Sequence, residues 1–248
     1  MIPNPIHKVL STMRRHRVQC LLMGGQACVF YGAAEFSRDT DLALLLDDAN
    51  LARLKAALEE LHAECVAVPP FEPEYLIRGH AIHFRCHLAD VEGMRIDIMS
   101  VMRGVAPFEE LWPRRTTLEL DSGEIYDLLS LPDLVQAKKT QRDKDWPMIR
   151  RLVEAHYFQN CVDPSPVQIR FWLLESRTPS MLIALAAQHP GPASDAASQR
   201  PVISAAIAGH EDEVGRQLEI EEKRERDLDR RYWLPLRLEL ERLRRRNR

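Results

Sequence analysis

The sequence predicts an α/β (α+β) protein: a small mixed sheet with helices on one face, followed by a helical C-terminal region. Three observations predict it. Short apolar runs such as "VQCLLM" (18–23) and "DLALLL" (41–46) read as buried strands. Between and after them lie stretches whose apolar residues recur with helical spacing, clearest in "DDANLARLKAALEELHA" (47–63). Beyond the two prolines of "CVDPSPVQ" (161–168) the strand patterns stop, and only helical ones remain.

The elements follow in order. "NPIHKVLSTMRRH" (4–16) is a helix with Ile6, Val9, Leu10 and Met13 on one face. The strand "VQCLLM" ends at Gly24-Gly25, and "QACVFYGAA" (26–34) reads as a short helix. The stretch "FSRDTDLALLL" (36–46) contains the second strand. In the helix that follows, Asp47, Asp48 or Asn50 serves as cap, and Leu51, Leu54, Ala57, Leu58 and Leu61 form the apolar stripe. "AIHFRCHL" (81–88) and "MRIDIMSV" (94–101) alternate around "ADVEG", a hairpin pattern. "TTLEL" (116–120) and "EIYDLL" (124–129) flank "DSG" as a second hairpin.

Ser130 with Pro132 opens a helix reaching about Lys139, and "DKDWPMIRRLVEAHY" (143–157) gives another, Pro147 fitting only its first turn. Next come the helices "VQIRFWLLESR" (167–177) and "PSMLIALAAQ" (179–188), then a loose linker near 188–201. The charged C-terminal helix is expected to break at Pro235. The domain expectation is therefore 1–160 for the mixed α/β part and 165–248 for the helical part.

Composition narrows the function. With 248 residues, 45% hydrophobic and 29% charged, the chain suits a globular protein of one or two domains. A net charge of −3 gives no global attraction to nucleic acid or membrane. Residues 221–248 nevertheless carry 11 basic against 7 acidic side chains. Leu236, Leu240 and Leu243 give that helix an apolar face to bury, within the chain or against a partner or second copy. The five cysteines are scattered without a CxxC, as expected of reduced thiols in a cytoplasmic protein. Neither a signal peptide nor a bilayer-spanning run is legible, so no membrane partner is expected.

The chemistry lies in three carboxylates. Residues two apart in a strand point the same way, so Asp39 and Asp41 project together. Asp97 lies in "MRIDIMS", where Ile96 and Ile98 take the opposite face. Three carboxylates brought together repel, and a divalent cation removes the repulsion. Hard oxygen ligands suit Mg2+, which takes one or two carboxylates plus substrate phosphates. Gly24-Gly25, between strand and helix, lets backbone N–H groups approach a phosphate. A phosphate turn beside a metal-binding strand points to phosphoryl or nucleotidyl transfer with two metal ions, Mg2+ or Mn2+. His80, His83, His87 and Cys86 do not read as a zinc site, because His83 and His87 lie about 13 Å apart along a strand. They are expected at the sheet surface or lining an acceptor pocket.

These elements, "LLMGGQA", "RDTDLALLL" and "RIDIMS", resemble the nucleotidyltransferase (polymerase-beta-like) superfamily. "LPDLVQAKKTQRDKDWPMIRRL" (131–152) is similar to the Lys…Arg-x-Lys-Asp segment of its stand-alone branch, which includes the AbiEii-type toxins of toxin–antitoxin pairs. The resemblance covers about residues 15–157. It implies that Gly24 and Gly25 contact the triphosphate of an NTP, and that Asp39 and Asp41 bind both metals. Asp97 would complete the metal site and act as or orient the base. Lys138 or Lys139, with Arg142 and Lys144, would neutralise phosphate charge, and Asp145 would buttress that helix. The acceptor would be a hydroxyl on RNA or a small molecule. The sequence departs from the pattern at Gly25, often Ser, and at Met148, often acidic. A non-catalytic module using the same fold to bind a nucleotide or a protein is the alternative expectation.

Overall fold

The structure, a computed structural model, describes residues 4–35, 37, 39–66, 68–120 and 123–246. It divides into two compact units. The first comprises residues 1–30, 34–137 and 232–248, and the second residues 31–33 and 138–231.

The first unit is built on one mixed sheet. Its strands are β1 (Cys20–Met23), β2 (Asp39–Leu44), β3 (Ala63–Cys65), β4 (Ile82–Cys86), β5 (Arg95–Met99), β6 (Thr116–Glu119) and β7 (Ile125–Leu128). They stand in the order β3-β4-β5-β2-β1-β7-β6. The pairs β2–β5 and β1–β7 are parallel, and the other pairs antiparallel. Both expected hairpins are present, as β4–β5 and β6–β7; Asp121 and Ser122, of the expected "DSG" connection, lie outside the described residues.

One face of this sheet makes a core. Thr40, Leu42, Leu44, Ile82, Phe84, Cys86, Ile96 and Ile98 are all buried there, each at an alternate position of its strand. The helices of this unit are α1 (Asn4–Arg15), α2 (Gly24–Phe30), α3 (Asp48–Glu60), α4 (Pro73–Ile77), α5 (Phe108–Leu111) and α6 (Leu131–Ala137). α1 packs against β2 and α3, burying Ile6, Val9, Leu10 and Met13 as its periodicity predicts. Asp47 is the N-cap of α3, accepting a bond from the Asn50 backbone N–H. Asn50 itself is wholly buried. Its amide accepts from Gln19 N at 2.7 Å and donates to Gln19 O and Leu45 O at 2.9 and 2.8 Å. It thereby ties the chain before β1 to the end of β2.

The second unit is helical, with α7 (Asp145–Asn160), α8 (Pro166–Glu175), α9 (Pro179–Gln188), α10 (Pro190–Ala197) and α11 (Val202–Ile207), and residues 211–231 of α12 (Glu211–Arg246). The stretch expected to be a loose linker is α10, which buries Ala193 and Ala196 and packs against α8, α9 and α11. Pro190 sits at its start, where a missing N–H costs nothing. The two prolines near 164–166 stand at a turn inside this unit: Ser165 forms a capping box with Gln168 and starts α8. The structural division thus falls at Ala137 and Arg231, whereas the sequence pattern drew it near 160–165.

α12 also runs on through Pro235, where a break was expected. A proline removes one hydrogen bond, and the flanking contacts offset that loss. Leu236 is buried, and Glu239 bonds His80 Nε2 at 2.8 Å and pairs with Arg78, all within the first unit.

Candidate active site

The face opposite the core of β2 and β5 carries the carboxylates. Register places them in two rows. Asp41 lies between Met23 on β1 and Asp97 on β5, and Asp97 is next to His83 on β4. One row over, Asp39 faces Arg95, which faces Arg85. Neighbouring strands stand about 4.8 Å apart, so these side chains are adjacent. The parallel β2–β5 pairing brings Asp39, Asp41 and Asp97 to one patch of the sheet face. Asp39, Asp41 and Asp97 are each half-buried.

The glycine turn begins where β1 leaves the sheet, immediately after the residue paired with Asp41. Gly24 has φ +68°, which favours glycine. A methyl group on it would overlap the Asp41 carboxylate. A Cβ on Gly25 would lie 2.7 Å from Ser37 Oγ. The hydroxyl that the sequence lacks at position 25 is thus present in space from Ser37, which also donates to Asp39 O at 3.3 Å. Phe36 and Arg38, within the same motif, lie outside the described residues.

Asp97 is not bare. Arg95 Nη2 donates to Oδ1 at 3.1 Å and Oδ2 at 3.0 Å, and His83 Nδ1 lies 2.8 Å from Oδ1. Sequence reasoning passed over Arg95, and it expected His83 at the sheet surface or lining an acceptor pocket without linking it to Asp97. Both contacts had a signal: Arg95 stands two before Asp97 on the same strand face, and a hairpin centred on Asp90 sets position 83 opposite 97.

Asp39 and Asp41, alternating on one strand with hard oxygens, fit the one or two carboxylates Mg2+ takes. Asp97 has both oxygens engaged by Arg95. Among the described residues, no group of three or more His, Cys, Asp and Glu side chains is arranged to hold a metal ion.

The basic motif residues lie in the second unit. Lys138, buried, pairs with Asp145 Oδ1 at 3.2 Å. Thr140 Oγ1 and Arg142 Nε donate to Asp145 Oδ2 at 2.6 and 2.8 Å. Burial pushes the Asp145 carboxyl up, but Lys138, the Thr140 hydroxyl and Arg142 together hold it below its ordinary value. Lys139 pairs with Glu175 at 2.8 Å. Lys144 is exposed at the start of α7. This local fold of Lys138 to Asp145 is an ionic knot around one buried carboxylate.

The cysteines are free thiols. Burial, and then Asp127, push the Cys20 thiol up to about 12; burial, and then Glu92, push Cys86 up to about 11. Neither is a nucleophile near neutral pH. No described helix is long and apolar enough to cross a membrane.

No family model matches the chain, and no curated protein matches it. A solved structure of a provisionally assigned nucleotidyltransferase from H. pylori aligns with 90% of this chain and 94% of its own, at 13% identity and a TM-score of 0.40. Likeness at that level supports neither a fold assignment nor an activity.

Proposed function

We propose that the chain is a Mg2+-dependent nucleotidyltransferase, moving an NMP from an NTP to a hydroxyl on RNA or a small molecule. One observation carries the reading: Asp39, Asp41 and Asp97 share a sheet face, and Asp41 lies directly over the glycine turn. Asp39 and Asp41 would hold the divalent ions, Mg2+ or Mn2+. Such ions, when bound, lower the pKa of an acceptor hydroxyl and neutralise charge on departing pyrophosphate. Gly24 and Gly25 would offer backbone N–H groups to phosphate oxygens, and the Ser37 hydroxyl would add a donor beside them. Asp97 would complete the metal site and act as, or orient, the base for the acceptor hydroxyl. The reading rests on the first unit alone. A phosphate-neutralising role for Lys138, Lys139, Arg142 and Lys144 is a separate proposal, for which Arg142 and Lys144 have the most exposed side chains.

The test is incubation with each labelled NTP, Mg2+ and cell extract. Label transfer that disappears in Asp39→Asn supports the reading, and full NTP turnover by that variant refutes it. The same labelling separates RNA from small-molecule acceptors by size.

A second reading has its own support. With Asp97 engaged by Arg95 and His83, the fold could serve as a non-catalytic module. Calorimetry with NTP, with and without Mg2+, separates the two: a scaffold shows no metal-dependent binding.

A further inference from the structure

Arg95 pairs with Asp97 on the carboxylate face of the sheet. A cation sits inside a patch of carboxylates that the proposed function assigns to divalent ions. Arg95 occupies both Asp97 oxygens through one nitrogen, at 3.1 and 3.0 Å. On its other side Asp39 is its direct neighbour in register. It therefore faces two of the three carboxylates. His83 closes the remaining side of Asp97 at 2.8 Å and approaches Arg95 Nη2 at 3.4 Å. The Arg95 side chain is 40% exposed, whereas that of Asp97 is only 15% exposed. Arg95 is thus the partner of the pair that solvent, and an anion arriving from solvent, can reach.

Two cations cannot share these oxygens. A guanidinium and a divalent ion both need the carboxylate lone pairs, and each repels the other at this range. An anion arriving above the patch changes the balance, because arginine binds phosphate oxygens as readily as carboxylate.

We propose that Arg95 is a resident counter-cation that keeps Asp97 out of divalent-metal coordination until a phosphate anion draws the guanidinium away. It is a positioning residue for the metal site. The inference rests on the metal-binding reading of this patch. It goes further by making Arg95 the determinant of how tightly, and when, the metal is held. Metal alone binds weakly; metal with a triphosphate binds tightly, because the triphosphate supplies Arg95 with another partner.

The experiment measures Mn2+ binding to the full chain by electron paramagnetic resonance, with no turnover involved. Wild type, Arg95→Gln and Arg95→Lys are titrated with Mn2+ alone, then with Mn2+ and a non-hydrolysable ATP analogue. Removing a unit positive charge one strand-width from a divalent ion is expected to tighten Mn2+ binding by Arg95→Gln at least about tenfold. Arg95→Lys, which keeps the charge, should stay near wild type. The analogue should tighten Mn2+ binding in wild type far more than in Arg95→Gln. Equal Mn2+ affinity in wild type and Arg95→Gln overturns the proposal while leaving the metal reading intact. No Mn2+ binding by any of the three, with or without the analogue, removes the metal reading and the proposal together. Should Arg95→Gln not fold, a crystal structure of wild type with Mn2+ and the analogue decides. Arg95 turned from Asp97 onto phosphate is the expected result, and an intact Arg95–Asp97 pair overturns it.

Discussion

The Asp41 carboxylate lies over Gly24 so closely that no side chain fits beneath it. This contact sets the first prediction. Gly24→Ala places a Cβ on a residue with φ +68°, which alone costs about 1–2 kcal/mol. The methyl group must also displace Asp41. A fall in melting temperature of roughly 2–8 °C is expected. Loss of Mn2+ binding should accompany it, because the displaced carboxylate is a proposed ligand. Thermal unfolding and Mn2+ titration check both, and a variant matching wild type in each would show that Gly24 is not constrained.

The knot around Asp145 predicts an asymmetry between partners. Asp145→Ala leaves the buried Lys138 ammonium without its counter-ion, costing roughly 3–5 kcal/mol. Lys138→Met removes the buried cation instead and leaves the carboxylate with Thr140 and Arg142. It should cost less. Urea unfolding at neutral pH ranks the two variants, and the reverse order would contradict the geometry.

The same carboxylate gives a pH dependence. Its folded-state pKa lies below its ordinary value of 3.8. The unfolded state therefore binds the proton more readily, and the stabilisation is complete above that ordinary value. It is lost as pH falls through the lower, folded-state value. Asp145→Asn abolishes this component, so its acid limb should be shallower than that of wild type. Unfolding free energies measured from about pH 5 downward test it; parallel acid limbs would exclude Asp145 as a contributor.

What was legible in the sequence follows from the range of each interaction. β2 announced itself by local alternation, and Asp39 and Asp41 had to share a face. Asp97 was found by the same rule in β5. Local alternation does not say which strands are neighbours, so the Arg95–Asp97–His83 contact depended on pairing that only the fold supplies. β3 was missed because its three residues, Ala63–Cys65, show no pattern before they meet β4. α10 was missed because its prolines and small residues resemble a linker, and only burial of Ala193 and Ala196 makes a helix of them. Pro235 misled in the other direction, since local propensity breaks a helix there and tertiary contact holds it.

Asn50 was read as one of three candidate caps, and its structural role is larger. Its amide satisfies three backbone groups belonging to Gln19 and Leu45. Asn50→Leu keeps the volume but orphans those groups, at a cost of about 2–4 kcal/mol. Asn50→Asp keeps the acceptor for Gln19 N but turns a carboxylate oxygen toward two carbonyls. It should be at least as damaging. Chemical denaturation of the two variants checks the ranking; a mild Asp substitution would mean that the two carbonyls do not need the amide donor.

The end of α12 is the last case. Leu236 is buried in the first unit, and Leu240 and Leu243 are half-buried, so part of the leucine face is covered within the chain. Glu239 fastens it, accepting from Arg78 and lying 2.8 Å from Nε2 of the fully buried His80. Gly79 between them has φ +95°, and a Cβ there would overlap the Tyr232 hydroxyl. Hydrogen bonds to charged groups contribute about 1.5–3 kcal/mol each. Glu239→Ala should therefore raise amide hydrogen exchange by roughly ten- to a hundredfold in residues 78–80 and 232–243. Exchange in α3 and β2 should be unchanged, because Glu239 touches neither. Gly79→Ala should loosen the same segment by a different route, adding backbone strain to the collision with Tyr232. If exchange in 232–243 is already fast in wild type and neither variant alters it, the helix end is not docked, and its leucines must find their cover elsewhere.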